Sequence, residues 1–292
     1  IVFDKNNLRI SIGGNIAFNK TKLKNLGLTP SSILIDGQYK DIPFYEGNIV
    51  SRGNIFKYAP NVFIEGEETS LFYGFKTDGI YQVNDPLPGG GLARMYDPSD
   101  DNPPLFWAGD YKIIDQNGDG VIDLRDRTII GNPNPDFVYG INLEVNYKQL
   151  SLRVLANGVY GNDVANGNLL QLAIAEGIPW SNITNVAYNN AWRPEKPSNI
   201  YPRIGYTTNG MIAMPDRIIE DGSFLRLSTI NLGYQFDKVN LYVSAQNLFT
   251  FTAYSGYNPE VTSFLYDGLR NGVDWNGQPN ARKFLIGLNF NL

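Results

Sequence analysis

Asp115, Asn117 and Asp119 place a side-chain oxygen at every second position, with Gly118 and Gly120 interleaved and Asp123 and Asp126 following. This is the spacing of a calcium loop: oxygens at relative positions 1, 3 and 5 can converge on one hard cation. The carbonyl of Val121 would occupy position 7, Asp123 position 9 and Asp126 position 12. Gly120 permits the sharp turn such a loop needs. Asp126 is one methylene shorter than the glutamate usual at position 12, which weakens bidentate coordination. The same residues can form an acidic turn held by Asx hydrogen bonds with no metal, and such turns are common. Either way the chemistry is structural: a Ca²⁺ ion here would pin a loop.

A second set of residues could bind a ligand or partner. Trp107, Trp180, Tyr188, Trp192, Tyr201 and Tyr254 are interleaved with Asn and Asp in segments without strand periodicity. Aromatic faces beside amides can stack on sugar rings or hold peptide side chains, and they can equally pack a loop together. Catalysis has far less to work with. The 292 residues contain no cysteine and no histidine, which excludes disulfides, thiol nucleophiles, Cys/His zinc sites and histidine general bases. Asp100-Asp101 and Glu67-Glu68 are adjacent pairs that read as solvated, and Gly89-Gly90-Gly91 neither follows a strong strand nor opens a helix. The chain is not expected to be an enzyme. Its net charge of −5 argues against a nucleic-acid partner.

Strands must position these residues. Leu8, Ile10, Ile12, Ile16 and Phe18 alternate with Arg9, Ser11 and Asn15; Phe137–Tyr147, 150–157, 230–236 and 239–247 alternate in the same way. The phase slips between Leu227 and Ile230, which predicts a bulge. The chain then ends on another alternating run, with Phe284, Ile286, Leu288, Phe290 and Leu292 on one face and Leu285, Gly287, Asn289 and Asn291 on the other. Strands are also plausible at Ser51–Tyr58 and Leu71–Tyr81, and a short helix within 163–176.

A soluble sandwich with one solvated face would show the same alternation, so a secreted calcium-binding β-sandwich, a carbohydrate-binding module, is the alternative. Connection lengths separate the two. Lys148-Gln149 and Asp237-Lys238 join strands directly, whereas 161–222 and 250–282 are long. Compact soluble domains rarely hold loops beyond about 12–15 residues without structure of their own. Outer-membrane barrels have short periplasmic turns on one rim and long external loops on the other. With the terminal strand running inward, both tight turns fall in the periplasm and every long loop outside. The fold expected is therefore all-β, an antiparallel transmembrane barrel wall with long extracellular loops, in the bacterial outer membrane.

Four segments strengthen this reading. Gln246–Thr252 followed by Tyr254-Ser255-Gly256-Tyr257-Asn258-Pro259-Glu260-Val261 resembles the C-terminal hallmark of SusC/RagA-like TonB-dependent transporters. Glu220-Asp221-Gly222-Ser223-Phe224-Leu225-Arg226-Leu227 resembles another. Asp115–Asp126 running into Ile130-Gly131-Asn132-Pro133-Asn134-Pro135 is a third, and Phe72-Tyr73-Gly74-Phe75-Lys76-Thr77-Asp78-Gly79-Ile80 a looser fourth. The resemblance implies a barrel of about 22 strands filled by an N-terminal plug. Residues 1–292 have room for about eight strands and show no plug or TonB box, so they are expected to form the C-terminal segment of such a receptor. It further implies TonB-dependent import of oligomeric nutrients, glycan or peptide. The implied partners are the remaining N-terminal barrel and plug sequence, TonB acting through that plug, a SusD-like surface lipoprotein and the lipid bilayer.

Overall fold

The computed structural model describes residues 2–50, 58–97, 99–173, 182–204, 214–261, 263–264 and 266–290. Its largest element is a seven-stranded sheet of β1 (Phe3–Lys5), β2 (Leu8–Ala17), β3 (Phe137–Tyr147), β4 (Leu150–Tyr160), β5 (Phe224–Gln235), β6 (Val239–Thr252) and β7 (Lys283–Phe290). Each strand pairs antiparallel with the next in chain order, so the sheet is a simple meander.

Register converts sequence alternation into two chemically distinct faces. Ile10, Val145, Leu152, Leu232, Val243 and Ile286 lie side by side across six strands. One residue along, the row is Ser11, Glu144, Arg153, Asn231, Ser244 and Leu285. A slip of one residue in any strand would exchange these faces, so the pattern fixes the pairing. The predicted phase slip is a bulge at Ser228, which both neighbours skip: Leu155 pairs with Thr229 and Ala156 with Leu227, while Leu227 pairs with Phe249 and Thr229 with Gln246. Opposite it, Asn247 adopts a left-handed φ of 53°. The bulge absorbs the parity change, so that Leu225 and Leu227 share the apolar face with Ile230 and Leu232.

The apolar face is uncovered. Phe284 is 68% exposed and Ile286 78%, values expected of side chains that lie in lipid and not in a soluble core. No second sheet packs on it among the described residues, which overturns the β-sandwich alternative. Aromatic residues band both ends of this face, with Tyr147, Tyr234, Phe236 and Phe290 at one end and Phe18, Phe137, Tyr160, Phe249 and Phe251 at the other. Phe137 stacks on Tyr160 at 5.0 Å, and Tyr234 meets Phe236 at 4.7 Å. Such girdles mark the two membrane interfaces of a barrel. No described helix is long and apolar enough to cross a membrane; the strands do so.

Turns sort by rim as expected. Asn6-Asn7, Lys148-Gln149 and residues 236–238 close the short connections, with Asn6, Asn7 and Lys148 at positive φ as tight hairpins require. The connections 18–136, 161–223 and 253–282 all leave the other rim. They fold into a layer of small sheets. Phe44–Glu46, Asn61–Ile64, Leu71–Gly74 and Thr128–Gly131 form one, and Asp163–Asn166, Ile219–Asp221 and Val273–Asp274 another. Two hairpins complete it, Ser31–Ile35 with Gln38–Ile42 and Thr77–Ile80 with Tyr111–Ile113. The buried apolar core of the chain lies here, around Phe72, Phe75, Ile80, Tyr81, Phe106, Trp192, Ile218 and Val273. The single strand expected over Leu71–Tyr81 is two strands, interrupted where Phe75 N–H donates to Met214 O at 2.9 Å. The 163–176 region begins as a strand and continues as a helix at Gly167–Ala173. The strand expected at Ser51–Tyr58 falls almost wholly outside the described residues.

Ile286→Arg places a charge on the lipid face and is expected to cost roughly 2–4 kcal/mol near the midplane. Asn289→Arg, on the polar face, is expected to cost much less. Denaturant titration of the folded receptor in lipid vesicles measures both; equal damage would contradict the face assignment.

Candidate functional site

The inner face is concave and encloses a recess of about 500 Å³ lined by Glu144, Arg153, Asn231, Tyr242, Ser244 and Asn289, among others. Glu144 and Arg153 are cross-strand neighbours with an N–O distance of 3.5 Å. The Tyr242 ring lies flat over Gly287, where an added Cβ would stand 2.3 Å from a ring carbon, so only glycine lets that ring rest against the wall. Arg9 stands on the same face beside Asn146, nearer the short turns. The lining offers amides, hydroxyls and one compensated ion pair. It can hydrogen-bond a polar solute or another polypeptide.

Above the rim the family-like segments turn out to be the joints of the loop layer. Arg226, buried at the top of β5, donates to Asn258 Oδ1 at 2.7 Å and Thr250 Oγ1 at 3.1 Å and pairs with Glu260. Glu220 accepts from Ser255 N at 2.7 Å and Oγ at 2.7 Å, and from Asn166 Nδ2 at 3.1 Å. Asn132 N donates to Asp163 at 2.7 Å and its side chain to Glu68 at 2.7 Å. A Cβ on Gly74 would sit 2.0 Å from Met214 O, so glycine is what allows that backbone approach. Charged hydrogen bonds of this kind contribute roughly 1.5–3 kcal/mol each. They hold three connections, far apart in sequence, as one collar.

The candidate metal residues are together, and their contacts are with each other. Asp115 accepts from the amides of Gly118 at 2.6 Å and Gly120 at 2.8 Å, which hold its carboxyl below the usual range. Asn117 accepts from Asp119 N, and Asp119 from Val121 N. Asp126 is buried, accepts from Gln116 N at 3.0 Å and Asp123 N at 2.8 Å, and is pushed up by burial. Arg125, which the metal motif does not use, bridges Asp119 at 3.0 Å and Asp123 at 2.9 Å. The chain's own guanidinium thus stands between two of the proposed ligands, and no three carboxylates converge among the described residues. The hydrogen bonds in this arrangement are those of the Asx-turn alternative.

Three of the six aromatic candidates are buried in the loop layer. Trp107, Trp192 and Tyr254 are at most 5% exposed. Trp192 Nε1 donates to Gln82 at 2.7 Å, Tyr254 OH donates to Asp274 at 2.6 Å, and Trp107 packs edge-on against Tyr96. Burial saves these large rings from water, and the polar atoms of Trp192 and Tyr254 are spent inside the collar. Tyr188 is exposed, with Arg193 over its ring. Trp180 lies outside the described residues. The hydrogen-bonding roles of Arg226, Glu220 and Asp274 were not read from the sequence, because their partners lie 20–54 positions away.

Two predictions test the collar. Arg226→Ala should speed amide exchange of residues 253–261 by tenfold or more, about 1.5–3 kcal/mol of local stability, while exchange in β6 and β7 stays unchanged. In the 115–126 loop, Asp126→Ala removes two amide acceptors and should loosen the loop by about 1–3 kcal/mol. The Arg125 bridge predicts equal exchange protection there in calcium and in chelator. Protection that rises with calcium would establish the metal instead.

Comparison with known proteins places this architecture. No family model matches the chain. It is 31% identical over 251 residues to TonB-dependent receptor P3 of Formosa agariphila, an alignment covering 81% of this chain and 23% of that protein. It is 28% identical over 271 residues to TonB-dependent receptor SusC of Bacteroides thetaiotaomicron, covering 87% and 22%. A solved structure of the RagAB peptide transporter superposes with a TM-score of 0.66 at 18% identity, over 98% of this chain and 28% of that one. The chain thus spans about a quarter of the length of the curated relatives it matches. With its lipid-facing wall, aromatic girdles and long-looped rim, it is a homologue of part of the TonB-dependent receptors of the bacterial outer membrane, SusC among them, and shares the fold of the matching part of the RagAB transporter.

Proposed function

We propose that this chain forms the C-terminal wall and external collar of an energy-coupled importer of oligomeric nutrients. The observation that supports it is the wall itself: apolar outside, polar and concave inside, and roofed on one rim by packed loops. Among the described residues the seven-stranded sheet is open, with β1 and β7 as its edges. Unpaired backbone groups in hydrocarbon cost several kcal/mol each, so those edges need further strands. In this reading the rest of the barrel, a plug and TonB supply closure, gating and energy, and a SusD-like lipoprotein sits on the collar.

The cargo proposed is a neutral, hydrogen-bonding oligomer, an oligosaccharide or a peptide. The recess offers amides and hydroxyls and no net charge between Glu144 and Arg153, which suits hydroxyl- or amide-rich chains. The similarity to a peptide transporter supports the peptide class, and the resemblance of the four segments to SusC/RagA-like transporters implies either. Uptake of labelled oligosaccharides and oligopeptides by cells with and without the receptor tests this. One class is expected to enter only with the receptor, and a protonophore is expected to abolish entry. Uptake of neither, or uptake indifferent to the protonophore, would contradict it.

A further inference from the structure

Above the outer girdle, β2 ends at Ala17 and the chain runs on into an exposed basic segment. Ile10, Ile12 and Ile16 share the outer face, and Phe18 continues it, its ring 5.6 Å from that of Phe137 in the girdle. The next residues of the same parity are Lys20, Lys22 and Lys24, all exposed. The backbone of their segment is pinned to the loop layer: Lys22 forms an isolated antiparallel β-bridge with Glu68, Leu23 N donates to Glu67 O at 3.0 Å, and Gly66 N donates to Leu23 O at 2.8 Å. Leu23, of opposite parity, is half-buried.

None of the three ammonium groups is in an ion pair among the described residues. Two of the nearby acids are engaged elsewhere, Glu65 with Leu26 N at 2.5 Å and Glu68 with Asn132 at 2.7 Å. At the far side of the wall the pattern recurs singly. Arg282 precedes Phe284 with the parity of the lipid face, and its guanidinium lies over the Phe249 ring at 5.8 Å. In a chain of net charge −5, a row of three unpaired lysines immediately above an aromatic girdle is a local reversal of sign.

We propose that Lys20, Lys22 and Lys24 bind phosphate groups of the outer-leaflet glycolipid, lipid A. The girdle sets the depth of the hydrocarbon boundary, and the lysines follow it by two to six residues, at the level where lipid A carries its phosphates. Lysines beside an anionic surface attract it additively, and long stems let the ammonium groups reach up from the boundary. The inference rests on the membrane placement of the wall and is independent of the import reading.

The test uses the full receptor in nanodiscs of zwitterionic phosphatidylcholine doped with lipid A, dephosphorylated lipid A or phosphatidylglycerol. Retained lipid is read by native mass spectrometry. Wild-type receptor is expected to retain lipid A about tenfold over the dephosphorylated form and over phosphatidylglycerol. The triple variant K20S/K22S/K24S should lose that preference, and K20R/K22R/K24R should keep it. Equal retention by wild type and the serine variant would overturn the site, and equal retention of phosphatidylglycerol would overturn the assignment to the glycolipid. Heat-modifiability of each variant shows that the wall has folded.

Discussion

Every backbone N–H and C=O in the hydrocarbon layer must find its partner within the protein, because lipid offers none. That constraint explains the meander, in which each wall strand pairs with its sequence neighbour and residues rise and fall across the membrane in ladders of about ten. It also explains why a strand may bulge at Ser228 yet stay paired above and below, and why the ladder is indifferent to side chains. Side chains are then free to answer a second demand, apolar toward lipid and polar toward the lumen. Period two is the only way a strand can satisfy both.

The distribution of hydrophobic residues follows. In the wall, Phe284, Ile286 and Ile12 are exposed because their solvent is lipid. In the loop layer, Phe72, Phe75 and Tyr81 are buried because theirs is water. One chain thus obeys two opposite burial rules, and the boundary between them is the girdle of Phe18, Phe137 and Phe251. The collar needs polar joints as well as a core, since it must be held to the upper ends of the wall strands. Arg226 to Asn258 and Glu260, and Glu220 to Ser255 and Asn166, are those joints.

Much of the wall was legible in the sequence, since its signal is local. Alternation in 137–147 and 239–247 needed only neighbouring residues, and the slip near Leu227 announced a bulge. The loop layer was not legible, because its strands are short and its register depends on distant partners; the Leu71–Tyr81 run looked continuous until Met214 was seen to interrupt it. The calcium spacing was visible, but the position of Arg125 between Asp119 and Asp123 was not. Aromatic residues misled for a related reason. Composition cannot distinguish a tryptophan offered to a ligand from one like Trp192, whose indole is tied to Gln82, 110 positions away.

The central claim is that consecutive residues of the wall face lipid and lumen in strict alternation. The chain has no native cysteine, so single cysteines can be placed through 284–290 of β7 without background and labelled with a fluorophore. Quenching by brominated lipid, in the receptor reconstituted into vesicles, then reports which positions touch acyl chains. The account predicts strong quenching at 284, 286, 288 and 290 and weak quenching at 285, 287 and 289. Uniform quenching, or none at either set, would contradict it.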